Sequence, residues 1–146
     1  MTESTRESGD VDLDLPGLGL LVREPYISFI LAHQKRWEIR GTRTKHRGRL
    51  ALIRSKSGLI VGECKIIDCK GPLEFQELVS ASELSYEERE ELRKEGKLPY
   101  LQGDGATSKT YAWVLDRPQI YRTAIPYKHP PGAIVFVDLK KPGVLG

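Results

Sequence analysis

The apolar residues of this chain come in short runs, and that limits the fold more than any other feature. Leu18–Val22, Leu50–Ile53, Leu59–Val61, Tyr111–Leu115 and Ile134–Val137 each hold five residues or fewer. Runs of that length between turn residues are strand signals. None approaches the roughly 20 residues that a membrane-spanning helix needs. Trp37-Glu38-Ile39-Arg40 adds strict alternation, with Trp37 and Ile39 toward a core and Glu38 with Arg40 on the opposite face. Ser55-Lys56-Ser57-Gly58 separates two of the runs and predicts a hairpin, its second strand continuing through Ile66-Ile67.

The helical signals are equally short. Pro25 suits a first turn, Ile27, Ile30 and Leu31 follow at helical spacing, and the helix should end near His33–Gln34. Leu73–Val79 is a second amphipathic candidate. Ser85 with Glu88 forms a capping box that opens a third helix, and Gly96 stops it. That helix carries mostly acid and makes a poor polyanion contact. Gly103-Asp104-Gly105 reads as a turn, and a proline-rich segment from Pro118 to Pro131 joins the last two strands. Several short strands mixed with short helices favour an α+β fold, a small mixed β-barrel, over a doubly wound sheet.

With 146 residues, 39% of them hydrophobic and 29% charged, one packed domain is expected. Residues 1–16 read as a flexible acidic tail and 17–146 as the domain. No apolar stretch follows the first charges, so no secretory signal is expected and a soluble, cytoplasmic protein is the default. Cys64 and Cys69 stand at odd spacing in one apolar run, which on a strand sends them to opposite faces, unable to share a metal or a disulfide. There is no Gly-rich phosphate loop, no paired Cys/His metal pattern and no nucleophile elbow, so neither metal nor cofactor is expected.

Charge is unevenly spread. Residues 1–16 hold five acids against Arg6, whereas residues 33–56 hold nine lysines and arginines against Glu38 alone. Such a basic block attracts polyanions, although a solvated charged face would read the same way.

In this setting the chain resembles the ASCH (activating signal cointegrator homology) family of the PUA-like barrel superfamily. The resemblance rests on Glu24-Pro25-Tyr26, on Lys35, Glu38 and Arg40, on His46-Arg47-Gly48-Arg49-Leu50, on Ile60-Val61-Gly62, on Ile67-Asp68-Cys69, and on Tyr111-Ala112-Trp113-Val114-Leu115. These span about residues 18–138. The family pattern Gly-x-Lys-x-x-Glu-x-Arg is met except at its first position, where this chain has His33, so a different local turn is expected there. The resemblance implies a barrel of five to six strands with flanking helices. It also implies a cleft beside Lys35, Glu38 and Arg40, and recognition of RNA, single-stranded nucleic acid or a nucleotide. Some similar small bacterial domains hydrolyse acylated cytidine nucleosides, and others act as ribonucleases.

The side chains suit such a cleft. Lys35 and Arg40 can donate to phosphate or a base edge, and Glu38 can accept from an exocyclic amine or simply pair with Arg40. Arg47 and Arg49 flank Gly48, where a backbone can come close, but they also fit an ordinary charged surface. Tyr26, Tyr111 and Trp113 are candidate platforms for an unstacked base, with core packing the alternative for Trp113. A metal-independent hydrolase, of ribonuclease or N4-acylcytidine amidohydrolase type, would use Lys35 as general base together with Glu38. The similar cytidine hydrolases carry Thr where this chain has Glu38, which removes the obvious nucleophile. Thr42 and Thr44 lie nearby, and Glu63 and Glu83 are the candidates for a second acid.

Overall fold

The short runs assemble into one curved mixed sheet. A computed structural model describes residues 5–6, 14–100 and 109–146. In chain order the elements are β1 (Thr5–Arg6), β2 (Leu18–Val22), α1 (Tyr26–Leu31), β3 (Trp37–Arg40), β4 (Gly48–Arg54), β5 (Leu59–Lys70), α2 (Phe75–Val79), α3 (Tyr86–Glu95), β6 (Tyr111–Pro126) and β7 (Phe136–Asp138). The strand order is β1-β6-β5-β4-β2-β7, with β3 also pairing β6. Six strands of three residues or more, curled into a half-barrel with three short helices, match the small mixed barrel that the sequence predicts.

β4 and β5 form the expected antiparallel hairpin, and β5 continues to Lys70. β2 runs parallel to β4, so the intervening chain must cross over, and α1 and β3 lie on that crossover. α1 buries Ile27, Ile30 and Leu31 against a cluster built from Leu20, Leu50, Leu52, Ile66, Trp113 and Leu115. A second cluster gathers Ala51, Ile53, Ile60, Tyr121 and Val137, and a third packs α2 and α3 on Trp37 and Ala112. Gly62 marks the closest approach within the sheet. A Cβ there would be driven into the carbonyl oxygen of Gln119 and would lie 2.8 Å from the Leu31 side chain.

Three expectations change. β6 runs for 16 residues, straight through the start of the proline-rich segment, because a register shift accommodates Pro118 within the strand. Cys64 and Cys69 do not separate to opposite faces. Ile67 is an extra residue on β5 opposite the Leu115–Val114 step, so the alternation resets and both free thiols pack on the same core cluster. The turn after α1 is not altered by His33. Gln34 N–H bonds to Phe29 O at 2.8 Å and His33 N–H to Ile30 O at 3.1 Å, a Schellman ending with His33 at φ 62° where glycine is usual.

Most of residues 1–16 and the Gly103-Asp104-Gly105 turn lie outside the described residues. Within that N-terminal stretch, Thr5–Arg6 pairs parallel with Ile120 and Tyr121, and the Asp14 carboxylate sits 3.0 Å from Arg49. Among the described residues no helix is long and apolar enough to cross a membrane.

Candidate functional site

β3 carries the site. Its alternation places Trp37 in the third core cluster and turns Glu38 and Arg40 toward a cleft of about 510 Å³ between the sheet and α3. Lys35 enters the same cleft from just before the strand and is only 2% exposed. A buried ammonium needs a partner, and α3 supplies it: Lys35 Nζ donates to Glu88 Oε2 at 2.7 Å. Glu38 Oε1 lies 3.7 Å from the same nitrogen, beyond hydrogen-bond reach. Glu38 Oε2 accepts from Arg40 Nε at 2.9 Å, and Arg40 Nη2 donates to the carbonyl of Leu21 at 2.7 Å. Glu88, Lys35, Glu38 and Arg40 therefore form a chain of alternating charge along the cleft floor.

Glu88 serves twice. It is the third residue of α3, where its carboxylate faces the Ser85 N–H and hydroxyl in the capping box, and it is also the closest partner of Lys35. The local motif marks the cap, but nothing in the sequence marks a contact across 53 positions. Tyr100 is also new. Its hydroxyl donates to Ile39 O at 2.9 Å and its ring lines the cleft. Burial pushes the phenol of Tyr26 above its ordinary value, with the Glu91 carboxylate adding to the effect. The phenol of Tyr100 is raised by burial and then by the charge of Glu38.

Tyr26, Lys35, Glu38 and Arg40 thus line one cleft, and the other candidates lie elsewhere. Trp113 is 1% exposed. Its ring is stacked on Phe136 at 5.6 Å, Arg40 lies over it, and its Nε1 donates to Thr42 O, so no face is open to a base. Tyr111 is buried beneath Arg43. Arg49 is held by Glu63 in two hydrogen bonds and by Asp14, and Arg47 donates to the carbonyls of Thr44 and His46. Glu63 also accepts from Tyr121, which places it outside the cleft. Glu83 uses its backbone carbonyl to accept from Arg36 and Trp37.

The cleft is not the basic one that the charge count predicts. Arg23, Lys35 and Arg40 line it, against Glu38, Glu88, Glu91 and Glu95. The acids outnumber the cations because α3 forms one wall. Among the described residues, no three His, Cys, Asp or Glu side chains are grouped to hold a metal ion.

A curled mixed sheet with an ion-paired cleft at the crossover defines a small mixed α+β barrel module. An ASCH domain model matches residues 20–104, more than half of the chain. The chain belongs to the ASCH domain family. Two point-mutant forms of ASCH from Zymomonas mobilis superpose at a TM-score of 0.60. One has 17% identity over 85% of this chain and 90% of its own, the other 16% identity over 96% and 92%. The parent ASCH from the same organism aligns at a TM-score of 0.50 and 17% identity over 70% and 68%. At this identity the likeness concerns the fold. A search of curated proteins finds no match.

Proposed function

We propose that the cleft binds one nucleotide unit of single-stranded RNA and holds it by the base rather than by the phosphate. The observation that carries this reading is the acceptor and donor pair on β3. Among the described contacts Glu38 Oε1 has no hydrogen-bond partner within reach, and Arg40 keeps its Nη1 group unused. A carboxylate accepts from the exocyclic amine of cytosine or adenine, and a guanidinium donates to ring acceptors. A volume of about 510 Å³ lies within the range of small-ligand pockets, and Tyr26 and Tyr100 in its lining give it apolar surface. The excess of acid repels phosphate from the floor, so the backbone belongs at the rim.

Calorimetric titration with nucleosides tests this. Cytidine and adenosine should bind more tightly than uridine. Glu38→Gln should weaken them about tenfold or more, from a charged hydrogen bond of about 1.5–3 kcal/mol. Equal binding of all nucleosides, or indifference to Glu38→Gln in a folded variant, removes the reading.

A second reading has one observation in its favour: Lys35 lies between two carboxylates, Glu38 and Glu88, in a buried acid–base cluster. Such a cluster fits a metal-independent hydrolase acting on RNA or on acylated cytidine nucleosides. Chromatographic detection of turnover by the wild type, lost in Glu88→Gln and Lys35→Ala, would favour it over binding alone.

A further inference from the structure

A second, smaller pocket of about 230 Å³ lies behind the start of β3, lined by His33, Arg36, Leu115, Asp116, Arg117 and Pro118. Consecutive residues serve the two cavities: Lys35 reaches into the cleft, and Arg36 reaches into this pocket. Two of its side chains stand where the backbone asks for glycine. His33 occupies the left-handed position of the Schellman ending at φ 62°. Arg117 has φ 53° and lies where the β5–β6 register gains a residue on β6, between the Lys65–Asp116 and Glu63–Gln119 pairs. A left-handed residue in such a bulge is ordinarily glycine.

Four non-glycine residues among those described have positive φ, and two of them line this one pocket. Side chains other than glycine are disfavoured in that conformation, so keeping them needs a compensating use. What the two share with Arg36 is N–H donors. Neither His33 nor Arg36 has a side-chain hydrogen bond or ion pair among the described residues, and Arg117 has only Asp116 at 3.8 Å. Asp116 offsets one cation, which leaves a net positive pocket. Two guanidinium groups and an imidazole N–H are donors of the kind that phosphate oxygens accept from, and all three residues line this pocket.

We infer that His33, Arg36 and Arg117 form a phosphate-binding site separate from the cleft. Its natural occupant is a backbone phosphate of the RNA strand whose base enters the cleft. That choice of source rests on the proposed base-binding role of the cleft, whereas the site itself does not.

The test uses a His33→Gly/Arg117→Gly variant and, separately, Arg36→Ala. Glycine suits both left-handed positions, so the double variant should melt at or above the wild-type temperature. Fluorescence titrations of single-stranded RNA against salt should show a log–log slope reduced by about 0.7 for the lost phosphate contact. Nucleoside affinity in the cleft should be unchanged. In a parallel arm, inorganic phosphate should shift the NMR signals of His33 and Arg36 in the wild type and leave that of Arg36 unmoved in the double variant. An RNA slope that stays at its wild-type value in both variants, with no phosphate-induced shift, overturns the site even if nucleosides still bind. Shifts with inorganic phosphate in a protein that binds no RNA or nucleoside would sustain the site, assign it to free phosphate, and count against the cleft reading alone.

Discussion

The ion pair between Lys35 and Glu88 should be strongly coupled, and a double-mutant cycle measures the coupling. Lys35 is 2% and Glu88 8% exposed, with 2.7 Å between the charged atoms. Lys35→Met leaves the Glu88 carboxylate buried without a cation, while Glu38 keeps Arg40. Breaking one side of a buried pair costs about 3–5 kcal/mol. Glu88→Gln keeps an acceptor for the cap and for Lys35, and Glu38 at 3.7 Å remains nearby, so its cost should be about 1.5–3 kcal/mol. The double variant removes one positive and one negative charge and leaves Glu38–Arg40 intact. It should therefore lie within about 2 kcal/mol of wild type, which with these single costs makes the coupling energy at least about 2.5 kcal/mol. Urea unfolding of the four proteins supplies the values. At roughly 2–4 °C per kcal/mol for a chain of this size, Lys35→Met alone should melt roughly 6–20 °C lower. Additive costs, with the double variant the least stable of the four, would refute the claim that these charges are buried partners.

Gly62→Ala should destabilise by about 1–3 kcal/mol in the same assay, because the new Cβ meets a backbone carbonyl that cannot yield as a side chain would. Tyr26 and Tyr100 have raised phenol pKa values in the folded protein, so the fold holds more protons than the unfolded chain above the ordinary tyrosine value of 10.0. Their contribution is fully present below that pH and is lost as pH rises through the folded values. Tyr26→Phe/Tyr100→Phe should accordingly flatten the alkaline fall in stability, and absorbance at tyrosinate wavelengths should show two fewer late-titrating phenols in the variant, with Tyr127, also raised by burial, remaining in both.

Period-two alternation is local, so the sequence by itself marks Trp37–Arg40 as a strand and puts Glu38 beside Arg40 on one face. The Ser85–Glu88 box is equally legible, and for the same reason. What local pattern cannot carry is partnership across the sheet. The basic block from Lys35 to Lys56 reads as one patch because a charge count omits partners. In the fold Arg49 meets Glu63 from the neighbouring strand, Arg54 meets Glu24, and Lys35 is enclosed by α3. Bulges defeat alternation in the same way: one extra residue at Ile67 returns Cys69 to the face of Cys64, and another on β6 carries the strand past Pro118. Tyr100 follows α3 with no periodic signal, so only the closed chain brings it to the cleft. Trp113 shows the opposite failure, since a strand of alternating aromatics does not say which face is the core.

Whether the cleft takes a base and leaves the phosphate outside can be seen in crystals soaked with cytidine or adenosine monophosphate. Electron density should place the base edge on Glu38 and Arg40 and the phosphate at the rim, away from Glu88, Glu91 and Glu95. Density with the phosphate against Lys35, or an empty cleft at saturating nucleotide, would contradict base recognition by this site.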